Sequence, residues 1–129
     1  MPDFHRRHRA RRFLRRLGFL VVARNYRLAA GDAEADLIAW ERETLVIVEV
    51  KSRTSDAFGS PDRAIGEEKR RHLLRVAREY SRKSNISWER VRIDVVTVIL
   101  SKTPKIELFR GALSTGQKAP IATWTEPHR

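Results

Sequence analysis

Between residues 10 and 17 the apolar side chains Ala10, Phe13, Leu14 and Leu17 recur at helical spacing among arginines, and Gly18 follows where a left-handed cap closes a helix. The pattern predicts an amphipathic helix over 3–17. The period then shortens. "FLVVAR" (19–24) is rich in branched residues and reads as a strand, followed by a polar loop, "NYRLAAGD". "ADLIAW" and "TLVIVEVK" read as the arms of a hairpin around "ERE". Beyond the loop "SRTSDAFGSP", Ile65, Lys69, Leu73, Val76, Ala77 and Tyr80 share one helical side, which predicts a second helix over about 62–82. Ser60 and Pro61 suit its N-cap and first position. "VRIDVVTVIL" (91–100) reads as a central strand and "KIELFR" (105–110) as an edge strand after a Thr103, Pro104 turn. The order α-β-β-β-α-β-β implies an α/β fold, a mixed sheet of about five strands covered by two helices. One domain over 1–113 is expected, with 114–129, polar and proline-bearing, as a loose tail.

The hairpin breaks its own apolar pattern with Glu34, Asp36, Glu49 and Lys51. Alternation puts Glu49 and Lys51 on the face of Leu45 and Ile47, with Val46, Val48 and Val50 on the other, and it groups Glu34 and Asp36 with Ile38 and Trp40. A turn centred on Arg42 and Glu43 would set Trp40 opposite Leu45, Ile38 opposite Ile47, Asp36 opposite Glu49, and Glu34 opposite Lys51. Like charges directly opposed on a sheet are destabilising, so the two acids need compensation. A shared proton, neighbouring cations or a divalent metal would each supply it. The plainer reading is solvated ion pairs, but the apolar run 45–50 marks a strand covered on both faces, where an acid needs a reason.

Charge bears on the partner. Twenty-seven Lys and Arg against 16 Asp and Glu give a formal +11, which favours nucleic acid or an anionic membrane surface. No run reaches the roughly 20 apolar residues a membrane span needs, and the arginine-rich start precedes no signal-type apolar segment, so a cytoplasmic protein with no membrane association is expected. The chain has no cysteine. That excludes disulfides, thiolate-bound zinc and cysteine nucleophiles.

Asp36, followed by a strand carrying Glu49-x-Lys51, resembles the pattern of PD-(D/E)xK nucleases, the restriction-endonuclease-like fold that includes archaeal Holliday-junction resolvases. The wider set "ARRFLRRLGFLVVARN", "AEADLIA", "VIVEVKSR", "FGSP", Lys69, Ala77, Tyr80 and "RIDVV" is similar to the YraN-like family of small bacterial proteins, over residues 4 to about 113. The resemblance implies a restriction-endonuclease-like sheet and a metal-dependent endonuclease acting on DNA, with branched DNA one candidate substrate and a homodimer one candidate assembly. It implies that Asp36, Glu49 and the Val50 carbonyl hold Mg²⁺ or Mn²⁺, that Lys51 orients or deprotonates the attacking water, and that Glu34 is a supplementary acid. Two positions depart from the pattern. Ala33-Glu34-Ala35-Asp36 stands where relatives commonly carry Gly-Glu-Ile-Asp, and Arg7 stands where they often carry a glutamate. An inward Arg7 opposes a metal; an outward one meets a phosphate.

Arginines 6, 7, 9, 11, 12, 15 and 16 cover the rest of the first helix. Arg7, Arg11, Arg12, Arg15, Arg53 and Lys69 are the expected nucleic-acid contacts, since arginine forks match phosphate oxygens. Asp94 is expected to pair with Arg92, Arg53 or a helix arginine. His5 and His8 lack a third nearby ligand. The competing functional class is a non-catalytic nucleic-acid-binding protein that keeps the nuclease fold.

Overall fold

The structure, a computed structural model, describes residues 2–54 and 65–116, with side chains from His5 onward. The expected Ser60 and Pro61 cap and the tail beyond 116 lie outside the described residues. The elements are α1 (Pro2–Arg16), β1 (Leu20–Arg27), β2 (Glu34–Glu41), β3 (Thr44–Arg53), α2 (Glu67–Lys83), a short 3-10 turn (Trp88–Arg90), β4 (Val91–Ile99) and β5 (Lys105–Leu113). The order is the one the periodicity predicts, and the sheet has five strands.

The strands lie in chain order, β1-β2-β3-β4-β5, antiparallel throughout except for the parallel pair β3 and β4. Parallel neighbours need a crossover, and the segment containing α2 supplies it. One helix covers each face. Ala10 and Leu14 of α1 pack with Leu37, Ala39, Val46, Val48, Val50, Val96 and Val98. Leu73, Val76 and Ala77 of α2 pack with Ile38, Leu45, Ile47, Ile93 and Val95. Burial on both faces explains why β3 and β4 read as continuous apolar runs.

Three boundaries differ from expectation. β1 runs on through Asn25, Tyr26 and Arg27, because Tyr26 pairs with Ala35 and Arg27 with Glu34, so pairing with β2 overrides a loop-like composition. α2 starts at Glu67 rather than 62, with extended Gly66 as its N-cap, and Ile65 is buried ahead of the helix instead of on its first turn. β5 continues to Leu113, three residues past the expected end. α1 closes as predicted. Gly18 adopts φ 98°, its N–H donates to Arg15 O, and Phe19 N–H donates to Leu14 O, a paired closure that brings buried Phe19 back onto Leu14. Among the described residues no helix is long and apolar enough to cross a membrane.

Candidate functional site

The β2–β3 turn is the expected two-residue one, with Arg42 at φ 57°, and it sets Trp40 opposite Leu45 and Ile38 opposite Ile47. The faces of β3 also fall as alternation requires: Leu45 and Ile47 lie under α2, and Val46, Val48 and Val50 under α1. The ladder ends at Leu37 and Val48, however, one step before the two acids. Past that point Val50 N–H donates to Asp36 Oδ2 at 2.7 Å. A side-chain carboxylate thus takes the place of the next ladder acceptor, and the strands part where Asp36 and Glu49 were expected to face each other in register.

Both helices reach into this opening. From α1, Arg7 Nε donates to Asp36 Oδ1 at 2.9 Å, and Arg6 Nη1 donates to the Val50 carbonyl at 2.6 Å. From α2, Lys69 Nζ donates to the Glu34 carbonyl at 3.1 Å and stands 3.6 Å from Glu49 Oε1. That distance is beyond hydrogen bonding, and Glu49 Oε1 is buried with no hydrogen-bond partner. Burial, followed by the charge of Asp36, pushes the Glu49 carboxyl up to about 7, against the opposing fields of Lys69 and Lys51. Two of the three compensations open to the acids are therefore in use: the raised pKa favours the protonated form of Glu49, and the Arg7 guanidinium neutralises Asp36.

As arranged, these residues do not fit a divalent ion. Both Asp36 oxygens are engaged, one by a guanidinium and one by a backbone amide, and the Val50 carbonyl is engaged by a second guanidinium. Arg6, Arg7, Lys51 and Lys69 gather around two carboxylates, so adding a dication costs further repulsion. Among the described residues no group of three or more His, Cys, Asp or Glu is placed to hold a metal.

The structure brings Asp36, Glu49, Val50 and Lys51 to one sheet end and separates off others expected there. Glu34 does not face Lys51; its carboxylate accepts from Arg27 Nη2 at 2.8 Å, the partner that the β1 register gives it. Arg7, expected on phosphate, points inward to Asp36, because it follows α1's buried side one turn before Ala10. Lys69 turns to the acids as well. Arg53 ends β3 half-buried, paired with Ile99 of β4. Arg12 and Arg15 are exposed on α1. Arg11 donates toward His8 Nδ1 at 3.1 Å, and its pKa is lowered by burial and then by Arg24 and Arg15.

Arg24 was missed by sequence reasoning. β1 carries it opposite Leu37, on the α1 side of the sheet, next to Arg11 and Arg15. Alternation along "LVVARN" could not have found it, because the extra residue Val22 shifts the faces and leaves Arg24 on the same side of the sheet as Val21, three residues before it. Asp94 is fully buried and pairs with Arg92 at 2.8 and 2.9 Å while accepting Gly111 N–H at 2.9 Å. It belongs to a network with Glu41 and Arg110, the structural role expected of it.

Residues 8–98 match the family described as "Uncharacterised protein family UPF0102". Similar proteins carry the same designation. A UPF0102 protein of Solibacter usitatus is 50% identical over 103 residues, 80% of this chain and 78% of its own length. One from Desulfosudis oleivorans is 37% identical over 110 residues, 85% of this chain and 87% of its own. One from Rhodococcus jostii is 42% identical over 105 residues, 80% and 87% of the two chains.

Proposed function

The chain belongs to the uncharacterised family UPF0102, and from that premise we propose that it is a nucleic-acid-binding protein on an endonuclease-like fold, with the phosphodiester backbone, DNA first, as its ligand. The observation that carries the reading is that exposed Arg24 of β1 lies on the α1 side of the sheet, with exposed Arg15 and half-buried Arg11 of α1, whose pKa is lowered by burial first and then by Arg24 and Arg15. Like charges collected from two elements repel, and a polyanion lying across them would relieve that repulsion. Exposed Arg12 extends the same surface along α1.

The test is duplex-DNA binding by fluorescence anisotropy between 50 and 200 mM salt. Each phosphate contact contributes roughly 0.9 to the slope of log K against log salt, so Arg12→Ser, Arg15→Ser and Arg24→Ser combined should flatten it by about 2 to 3. An unchanged slope, or no salt-dependent binding by the wild type, would sink the reading.

A metal-dependent endonuclease is the second reading. It is favoured by the buried Glu49 Oε1, which has no hydrogen-bond partner, and by the presence of Asp36, Glu49 and Lys51 in the nuclease pattern. Mn²⁺-dependent cleavage of linear, flapped or four-way DNA, abolished by Lys51→Ala, would establish it. Salt-sensitive binding without cleavage would leave the binding protein.

A further inference from the structure

We infer that Arg6 and Arg7 are the resident cations of the carboxylate site, closing it to divalent metal in this chain, and that a carboxylate at position 7 would reopen it. The inference rests on the geometry of the opening between β2 and β3 and is independent of the nucleic-acid reading.

The three protein donors at the opening are two carboxylates and a carbonyl, all hard oxygen groups of the kind Mg²⁺ and Mn²⁺ take. Two of them are spoken for by neighbouring residues of one helix. Arg7 Nε reaches Asp36 Oδ1 at 2.9 Å, and Arg6 Nη1 reaches the Val50 carbonyl at 2.6 Å. The other Asp36 oxygen holds the Val50 N–H, so three hydrogen bonds run from Arg7 through Asp36 and Val50 to Arg6, the adjacent residue of the helix. A guanidinium delivers its charge already tethered, with the ordering cost borne by the helix, and it is weakly hydrated compared with a small dication. Mg²⁺ would have to lose part of a tightly held water shell and displace two charge-assisted hydrogen bonds that return as repulsion. Because α1 is anchored by buried Ala10 and Leu14, the two arginines are held over the opening by the core itself.

Changing Arg7 to glutamate inverts this arrangement. It removes the cation on Asp36 and adds a third acid beside Asp36 and Glu49, giving a cluster that is strained when empty and relieved by a dication. The experiment is thermal melting with and without millimolar Mn²⁺, read as the Mn²⁺-induced shift that is lost when Asp36→Asn is introduced into the same background. The wild type should show no such Asp36-dependent shift. Arg7→Glu should melt lower than wild type without metal and recover by several degrees with Mn²⁺, and adding Arg6→Ser should enlarge the recovery by freeing the Val50 carbonyl. Should Arg7→Glu fail to fold, Arg7→Gln, isosteric with that glutamate but uncharged, removes the cation without adding an acid and should show a smaller Asp36-dependent shift. An Asp36-dependent Mn²⁺ shift in the wild type overturns the inference, as does its absence from every folded Arg7 variant. DNA binding is scored separately, so loss of the nucleic-acid reading leaves this result standing, and the reverse.

Discussion

Replacing Glu49 by glutamine should stabilise the protein, by an amount that grows as pH rises from about 4.5 to about 7 and is constant above that. Folded Glu49 keeps its proton up to about 7 because burial and then Asp36 disfavour the anion, whereas the unfolded chain releases it near the ordinary 4.5. Between those values the folded state binds more protons than the unfolded one, so this residue makes stability fall as pH rises through the interval. The gap, about 7 less 4.5, is about 2.5, and at 1.36 kcal/mol per pH unit the full penalty above pH 7 is about 3 kcal/mol. Glutamine has nearly the same shape, never ionises, and offers an amide donor where the carboxylic proton lay. Urea denaturation of wild type and Glu49→Gln at pH 5 and pH 8 measures the effect. The variant's advantage should be small at pH 5 and grow to about 3 kcal/mol at pH 8. Equal differences at the two pH values, or a wild type that is the more stable at pH 8, would refute the reasoning.

Two further substitutions probe the frame around the site. Arg92→Ala strands the fully buried Asp94 beside Glu41, and removal of one partner of a buried pair predicts a loss of about 3 to 5 kcal/mol by urea denaturation, with Asp94→Asn in the same background recovering part of it. Leu73→Ala opens a cavity between α2 and the sheet and should cost about 2 to 5 kcal/mol, with the DNA-binding salt slope of the folded protein unchanged.

Much of the fold was legible because side chains alternate between the two faces of any strand, even one whose sequence reads as a continuous apolar run. Leu45 to Val50 disclosed which face each residue of β3 takes, and the two-residue turn at Arg42 and Glu43 fixed the first pairs of the hairpin. The register failed only past Leu37, where the Asp36 side chain stands in for a backbone acceptor, an exchange that alternation cannot foresee. The start of α2 was misplaced because Ser60 and Pro61 give the same signal as the true N-cap, Gly66. Arg7 was legible as a departure but not in its direction. Which side of α1 faces the sheet end depends on how Ala10 and Leu14 dock, a tertiary matter that seven arginines on one helix leave undetermined. Arg24 was hidden for a related reason, since its neighbours lie on another element.

The two register shifts in the sheet both fall at its margins. Val22 is the extra residue on β1, and the segment around Gly111, at φ 63°, is the extra stretch on β5, while the β2–β3 and β3–β4 ladders run without interruption. Outer strands expose unpaired backbone groups that invite a strand from another molecule, and a bulge bends that template out of line. β1 adds Arg24 and Arg27 to its bulge, and β5 adds Lys105, Glu107 and Arg110. Asp94 secures the second irregularity by accepting the Gly111 N–H from inside the core. A buried acid that looks like a defect in a central strand thus helps keep the rim of the sheet unfit for stacking against its own copies, and so protects a small, strongly apolar sheet from aggregation.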